Sequence, residues 1–392
     1  MNNKIQRENL KLISFFIFLI CLWGCKEVKT FSPSTSDNKV NELNFSIAKE
    51  IYLPLDSISQ PLNPYFQILE KDSDTLKYLF YKKFNESIYV YDFFRKKLIK
   101  KIPFTRSFGD SGQISAFHYI NKDSIFYFPQ YGDYFYLSKE GGNMDEKKIK
   151  FVDEDDQDQI ESHWIKSSSP LVMMDEKIYI NNVFGWMALQ EEDDKFLLIE
   201  HDLKTGSSEF FLKHPTSSIG RNYENSTFRH MTFTQKGEES VLLYSFNFDP
   251  YVYEFNGDKD NIKAQYCAPK DFQLPSIPKM GMNGNELWLE FQTQFSFSRM
   301  VYDPFKKQLL RLALLPYSME AIKAGDINPE IPKKPKFYVF DEQNQLLGEF
   351  TLDKNKSYYF VNMFVTKEGL WIQRILEDDE NNMCFELINY ES

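Results

Sequence analysis

The sequence predicts an all-β fold, a six-bladed β-propeller whose blades are four-stranded antiparallel sheets. Three observations support this prediction. The chain has 37 Phe and 23 Tyr among its 392 residues, and aromatic residues interleaved with polar ones are typical of half-buried strands. Pairs of hairpins recur along the chain, and repeated four-stranded units are typical of propellers. A separate strand near the start of the chain is placed to close the ring.

Each predicted blade begins with a hairpin of two apolar strands joined by a tight polar turn. Lys-Asp, Asp-Glu and Asn-Gly-Asn occur in these turns, and such residues favour hairpin connections. The first hairpins are predicted over 66–83, 117–128, 171–180, 231–246, 280–291 and 360–374.

A second hairpin follows most of the first ones. These second hairpins are predicted over 88–104, 134–151, 196–212, 251–266 and 299–315, with an additional hairpin over 337–350. The last blade ends at 384–390 on a third strand without a fourth. The segment 45–55 matches the outgoing strands and fills that position, which closes the ring. A seven-bladed ring that uses the additional hairpin and an irregular β-sandwich are the alternatives.

The first residues of the chain predict a lipoprotein signal peptide over 1–24. A basic start precedes an apolar run over 12–23, which is too short to span a bilayer. The stretch Leu22–Cys25 resembles a bacterial lipobox. Cys25 is therefore the predicted lipidation site, and its acyl chains would anchor the protein in a membrane.

The remainder divides into a polar tether over 25–44 and a single propeller domain over 45–392. The tether is rich in Ser, Thr, Asn and Lys and has little to bury, so it is predicted to be flexible. The predicted location is the cell envelope, most simply the outer membrane. The periplasmic face and the cell surface both stay open, since Glu27 alone is a poor version of the acidic run that directs some lipoproteins outward.

Charge and cysteine content limit the classes of partner. The net charge is −11, which argues against nucleic acid, because phosphate binding requires a basic surface. Cys267 and Cys384 each lie in an apolar, strand-like segment. Two buried free thiols are the favoured interpretation, and a disulfide between them is the alternative.

The stretch RSFGDSGQISAF over 106–117 contains the four residues that surround the nucleophile in one class of serine proteases. No His precedes Ser111, since the first is His118, and Gln113 stands where that class has a second glycine. Gly, Asp and Ser are also ordinary turn residues. We therefore interpret the stretch as the link from the first blade to the second.

No pattern in the sequence predicts a cofactor, a metal site or catalytic residues. The histidines lack the spacing of metal ligands. Acidic runs over 153–161, 191–194 and 377–382 lack the spaced ligands and glycine of a calcium loop and are typical of solvated loops. Calcium binding there stays an alternative.

Arginines and lysines sort differently over the two faces of the predicted propeller. Links between blades and middle turns of blades share one face, and the turns inside each hairpin share the other. Arg299 is predicted to lie at a middle turn. Lysines crowd the hairpin-turn face. A guanidinium suits bidentate recognition of carboxylate or phosphate, so the first face is the predicted ligand site, and pairing of its arginines with nearby carboxylates is the alternative. The candidate ligand-binding residues are Arg106, Arg221, Arg229, Arg299, Tyr131 and His230.

The lipobox, the polar tether, the Gly-rich link and strands such as the one over 123–128 resemble the TolB-like six-bladed propeller lipoproteins of the Bacteroidota. Within that group the chain is similar to an uncharacterised family named only as a domain of unknown function, the 4221 family. The resemblance implies a propeller and an envelope location, and it implies no established activity.

These observations favour a membrane-anchored, non-enzymatic binding or scaffold protein. Its propeller face would engage a protein partner or a small ligand, with anions favoured by the arginines. The alternative is an envelope hydrolase acting on glycans or peptides. A pair of carboxylates about 5–10 Å apart in the channel would favour that alternative.

Overall fold

The fold was analysed in a computed structural model of the chain. The residues that the structure describes are 30–31, 41–56, 60–69, 74–82, 86–104, 114–129, 134–142, 147–151, 162–163, 165–183, 196–212, 231–237, 240–270, 272–273, 283–324, 333–353 and 355–391.

The N-terminal half of the chain forms two leading strands and the first three blades. The leading strands are β1 (Thr30–Phe31) and β2 (Phe45–Pro54). Blade one contains β3 (Phe66–Leu69), β4 (Lys77–Lys82), β5 (Ser87–Asp92) and β6 (Lys97–Pro103). Blade two contains β7 (Ile114–Asn121), β8 (Ser124–Pro129), β9 (Tyr134–Ser138) and β10 (Lys148–Lys150). Blade three contains β11 (Ser162–His163), β12 (Val172–Met174), β13 (Lys177–Val183), β14 (Leu198–Asp202) and β15 (Ser208–Phe211).

The C-terminal half forms the other three blades and two helices. Blade four contains β16 (Met231–Gln235), β17 (Leu242–Phe246), β18 (Tyr251–Phe255) and β19 (Lys263–Tyr266). Helix α1 (Gly284–Thr293) precedes blade five, which contains β20 (Ser296–Asp303), β21 (Gln308–Leu314), β22 (Pro335–Phe340) and β23 (Leu346–Phe350), with helix α2 (Met319–Lys323) between its middle strands. Blade six contains β24 (Tyr358–Thr366), β25 (Gly369–Arg374) and β26 (Asn382–Tyr390).

Strand β2 is the fourth strand of blade six, so the predicted six-bladed ring and its closure are confirmed. It runs antiparallel to β26, from Phe45 opposite Tyr390 to Pro54 opposite Asn382. The first strand of the domain therefore completes a sheet whose other strands come from the end of the chain. Such closure leaves only short edges on a propeller.

The hairpin predicted over 280–291 is wrong, because the described residues from Gly284 onward form α1. Asn283 caps the helix: its side chain accepts hydrogen bonds from the backbone N–H of Asn285 and Glu286, and the Glu286 carboxylate accepts from the Asn283 N–H. This reciprocal capping box favours a helix start over a hairpin turn. Blade five therefore consists of the hairpins near 299–315 and 337–350, and the described strands form six sheets with no seventh blade.

Aromatic side chains fill the space between blades, which explains why the sequence contains so many of them. Between blades one and six, the rings of Phe93 and Trp371 meet edge to face with centroids 5.0 Å apart. The rings of Tyr78 and Phe385 lie 5.1 Å apart across the same junction. All four side chains are buried. Large flat rings bury much area and prefer such tilted contacts.

Two pieces of the region predicted as a tether lie along outer strands. Thr30 and Phe31 pair in parallel with Ala264 and Gln265 of β19. Residues 41–43 run along β23, where the Leu43 N–H donates to the Glu349 carbonyl at 2.8 Å and the Glu349 N–H donates to the Asn41 carbonyl at 2.9 Å. The chain thus touches blades four and five before it enters blade six.

Two smaller predictions can be compared with the fold. In the sequence, the GDSG stretch falls between β6 of blade one and β7 of blade two, and all four of its residues lie outside the described residues. Cys267 and Cys384 are buried free thiols, which confirms the favoured interpretation. In the described part of the chain, neither helix is long and apolar enough to cross a membrane.

Candidate functional site

The main feature of the propeller is a central cavity of about 690 Å³. The first full strand of each blade, or the residues beside it, contributes to its wall. Representative lining residues, one from each blade in order, are Phe66, His118, Val172, Phe233, Arg299 and Phe364. The cavity therefore lies on the axis of the ring, and its volume is typical of sites for drug-sized ligands.

A serine-rich segment before β12 crosses the ring at one end of this cavity. The Ser167 hydroxyl donates to the Pro64 carbonyl at 3.1 Å, next to blade one. The Ser168 carbonyl accepts from the Thr232 hydroxyl at 2.8 Å, and the Ser169 hydroxyl donates to the Met231 carbonyl at 2.5 Å. Blades one and four stand opposite each other in a six-bladed ring, so this segment ties opposite sides together.

The other end of the cavity reaches the face that carries the hairpin turns. Its described lining there includes Gly237 after β16, Phe305 and Lys307 between β20 and β21, and Glu342 between β22 and β23. Phe305 is 44% exposed. The cavity thus approaches the lysine-rich face, whereas the sequence analysis placed the ligand site on the opposite face.

The wall of the cavity is mostly aromatic and aliphatic. Six described aromatic residues line it, namely Tyr65, Phe66, Phe233, Tyr302, Phe305 and Phe364. Among the described lining residues, Glu342 is the one carboxylate. The described part of the wall therefore lacks the paired carboxylates on which glycoside hydrolysis usually depends.

Two lysines of the lining have acidic neighbours. Lys236 Nζ lies 3.5 Å from Glu254 Oε2, and Lys307 Nζ lies 3.5 Å from Glu342 Oε1. His118 also lines the cavity, and burial lowers its pKa to about 4. At neutral pH this imidazole is uncharged, so it adds no positive charge to the wall.

Arg299, in the middle of β20, is the most buried charged group of the lining, with 6% of the residue exposed. Its guanidinium donates to the backbone carbonyls of Phe360 at 2.9 Å, of Met363 at 3.0 Å, and of Val361. Burial lowers the pKa of Arg299 to about 9, so the side chain stays protonated at neutral pH.

A bulge in β24 explains how the carbonyls of Phe360 and Val361 become available. Pairing with β25 jumps from Tyr359 opposite Gln373 to Met363 opposite Ile372, so the residues between them leave the ladder. Buried backbone carbonyls need a hydrogen-bond partner. Arg299 supplies that partner from the neighbouring blade, and this fixes its side chain beside the cavity.

The predicted site residues can be compared with this geometry. Arg299 is described, but it lies within a strand and not at a middle turn, because α1 displaces the hairpin predicted before it. Its hydrogen bonds go to carbonyl groups and not to the carboxylates proposed as the alternative. The other predicted residues, Cys25, Arg106, Arg221, Arg229, Tyr131 and His230, lie outside the described residues.

The central cavity and the segment that crosses it were not predicted from the sequence. A signal was present in Ser167-Ser168-Ser169-Pro170, a run of small polar residues directly before a blade's first strand. The acidic run over 377–382 lies within the described residues. It leads into β26 through a turn, in which Asp379 accepts a hydrogen bond from the Asn381 N–H at 2.9 Å. No cluster of three or more potential metal ligands occurs within the described ranges.

Comparisons with known proteins agree with this architecture. A family model described as a domain of unknown function, DUF4221, matches residues 42–351. The crystal structure of a DUF4221 member from Bacteroides vulgatus is similar with a TM-score of 0.70 and 18% identity, covering 90% of this chain and 100% of that chain. A Bacteroides fragilis protein whose name proposes export is similar with a TM-score of 0.54 and 12% identity, covering 93% and 99%. No curated protein matches the chain.

Proposed function

We propose that this chain, which belongs to the DUF4221 family of unknown function, is an exported, lipid-anchored binding protein. The ligand is a small molecule held in the central cavity. The single observation that carries this proposal is the cavity of about 690 Å³ on the propeller axis, to which all six blades contribute.

The composition of the wall supports binding over catalysis. Ligand sites are usually apolar cavities with a few polar groups that orient the ligand. The described wall has this character, with six aromatic side chains, Arg299, two lysines and one carboxylate. A hydrolase would be expected to bring two carboxylates, or a nucleophile and its base, to the same place.

The N-terminal sequence supports export and anchoring. The apolar run over 12–23 followed by Cys25 is the pattern of a lipoprotein signal. The name of the Bacteroides fragilis neighbour, which proposes export, points in the same direction. The anchor would place the propeller in the cell envelope, most simply at the outer membrane. Arg106, Arg221 and Arg229 are proposed to add positive charge on the blade-link face.

A fluorogenic compound separates binding from hydrolysis. The purified chain is titrated with 4-methylumbelliferyl sulfate, phosphate and β-glucuronide, and binding is followed by calorimetry while release of 4-methylumbelliferone is followed by fluorescence. The proposal predicts saturable binding of at least one compound without release. Release of many 4-methylumbelliferone molecules per protein molecule, abolished by heat denaturation, would instead establish a hydrolase. Absence of binding by all three would count against a ligand-binding cavity.

A further inference from the structure

We infer that the ligand of the central cavity carries a carboxylate-like anionic head group on a flat apolar body, and that Arg299 binds the head group. This inference rests on the proposed function, because it names the ligand class of the same cavity. Three observations support the inference: the hydrogen bonds that Arg299 makes, the charges around this side chain and the aromatic rings beside it.

The charge of Arg299 lacks a carboxylate partner within the described residues. Its hydrogen-bond partners there are three backbone carbonyls. The two lysines of the wall differ, since Lys236 and Lys307 each lie 3.5 Å from a glutamate. A buried cation without a counter-charge is costly. A ligand anion in the cavity would supply the missing charge.

The guanidinium also keeps donors available. It has five N–H donors, and three of them are used on Phe360, Val361 and Met363. Nε is buried and has no hydrogen-bond partner in the described part of the structure. Two donors are therefore left without an acceptor in the described ranges, which is the number that a carboxylate accepts in bidentate recognition.

The surroundings of Arg299 favour a flat ligand body. Its Cζ lies 5.9 Å from the centre of the Phe66 ring, and the rings of Phe66 and Phe364 are 5.7 Å apart. All three residues line the cavity. An aromatic body would stack on these rings while its head group reaches the guanidinium.

Arg311 provides a matched comparison. It is fully buried and donates to Pro250, Cys267, Ser245 and Asp249, and its Nε is likewise without a partner. Asp249, however, lies close enough to interact electrostatically with it. Arg311 is also not among the residues that line the central cavity. The feature that distinguishes Arg299 is a charge in a cavity wall without a carboxylate partner among the described residues.

The test compares three probes with one ring system on the unmodified protein. 2-Naphthoate is an anion, 2-naphthamide is its neutral isostere and 2-naphthylmethylamine is a cation. Calorimetry is expected to show that 2-naphthoate binds at least about tenfold more tightly than the amide, because charge-assisted hydrogen bonds exceed neutral ones. The amine should bind most weakly. Increasing the salt concentration should weaken the binding of 2-naphthoate only.

Two variants assign the preference to a residue. Arg299→Lys keeps the charge but removes the guanidinium fork, and it should reduce the naphthoate-to-amide preference to about threefold or less. Arg311→Lys, the matched control, should keep the preference. Should Arg299→Lys fail to fold, the three probes on the unmodified protein still decide the question.

The outcomes separate the two proposals. Equal affinity for the acid and the amide would overturn the anionic head group while leaving a ligand-binding cavity. An unchanged preference in a folded Arg299→Lys would overturn the role of Arg299. Absence of binding by all three probes would overturn the cavity proposal itself.

Discussion

Arg374 Nη1 lies 3.1 Å from Glu50 Oε1, so an arginine of β25 pairs with a glutamate of the closing strand β2. The same nitrogen lies 2.8 Å from Glu386 Oε1 on β26, the strand between them. Glu386 is fully buried and also accepts from Lys356 at 2.7 Å and Tyr358 at 2.8 Å. Ring closure therefore combines backbone pairing with a charged network centred on Glu386.

Replacing Glu386 with Gln is expected to destabilise the propeller by about 2 kcal/mol, because Arg374 and Lys356 lose their buried counter-charge. Urea unfolding at pH 7 measures the change. The control is Glu349→Gln on blade five, whose pair with Lys336 at 2.7 Å is partly exposed and should cost less than about 1 kcal/mol. Equal effects of the two substitutions would contradict a special role for Glu386.

Glu50 makes closure sensitive to acid. The hydrogen bond from Tyr52, together with Arg374 and Lys356, lowers the pKa of Glu50 below its ordinary value of 4.5, although burial acts in the opposite direction. A carboxylate with a lowered pKa contributes stability above pH 4.5 and loses it as the pH falls through the folded-state pKa. Glu50→Gln should therefore destabilise the protein more at pH 7 than at pH 3. A pH-independent difference in unfolding free energy would refute this assignment.

Gly348 allows the chain before β2 to pass close to blade five. A Cβ atom at this position would lie 2.6 Å from the Asn41 carbonyl oxygen and from Leu43. Gly348→Val should displace residues 41–43 and destabilise the protein by about 2 kcal/mol. Gly284→Ala is the control, because a Cβ at this position meets nothing within 4 Å. This substitution should change the free energy of unfolding by less than about 0.5 kcal/mol. Thermal unfolding of both variants tests the contact, and a Gly348→Val midpoint equal to that of the control would disprove it.

Cys25 is the predicted lipid attachment site, and its replacement should release the protein from membranes. Acyl chains on Cys25 would supply the affinity of the protein for the membrane. Cys25→Ser is expected to move from the membrane pellet to the soluble fraction and to lose labelling by a fatty-acid probe. Cys267→Ser should keep both properties. Continued sedimentation of Cys25→Ser with membranes, at unchanged gel mobility, would contradict the lipobox.

The repeated hairpins and the closing strand could be predicted from the sequence because each depends on local pattern. Turn residues between apolar strands mark hairpins, and the strand over 45–55 was the missing partner for 384–390. The segment 280–291 misled the prediction, since Asn-Gly-Asn favours a turn while Asn283 and Glu286 form a capping box. That one helix moved Arg299 from a predicted turn into a strand.

The cavity could not be predicted in the same way, because it depends on contacts between distant parts of the chain. Arg299 meets carbonyls 61 to 64 residues later, and Ser167 meets Pro64 at a separation of 103 residues. No local pattern encodes the bulge in β24 that frees the carbonyls of Phe360 and Val361. Sequence patterns predict the number of blades, whereas the shape of the cavity on the axis depends on how the six inner strands pack around it.

Binding of the ligand in the cavity on the propeller axis can be tested with a substitution that fills this cavity. Thr234 lines the cavity and is half-buried, whereas Thr205 lies in an exposed turn of blade three. Calorimetry with 2-naphthoate should show at least a tenfold loss of affinity in Thr234→Trp and no change in Thr205→Trp, because the added indole occupies the space of the ligand. Equal affinity of the two folded variants for 2-naphthoate would contradict binding in the cavity.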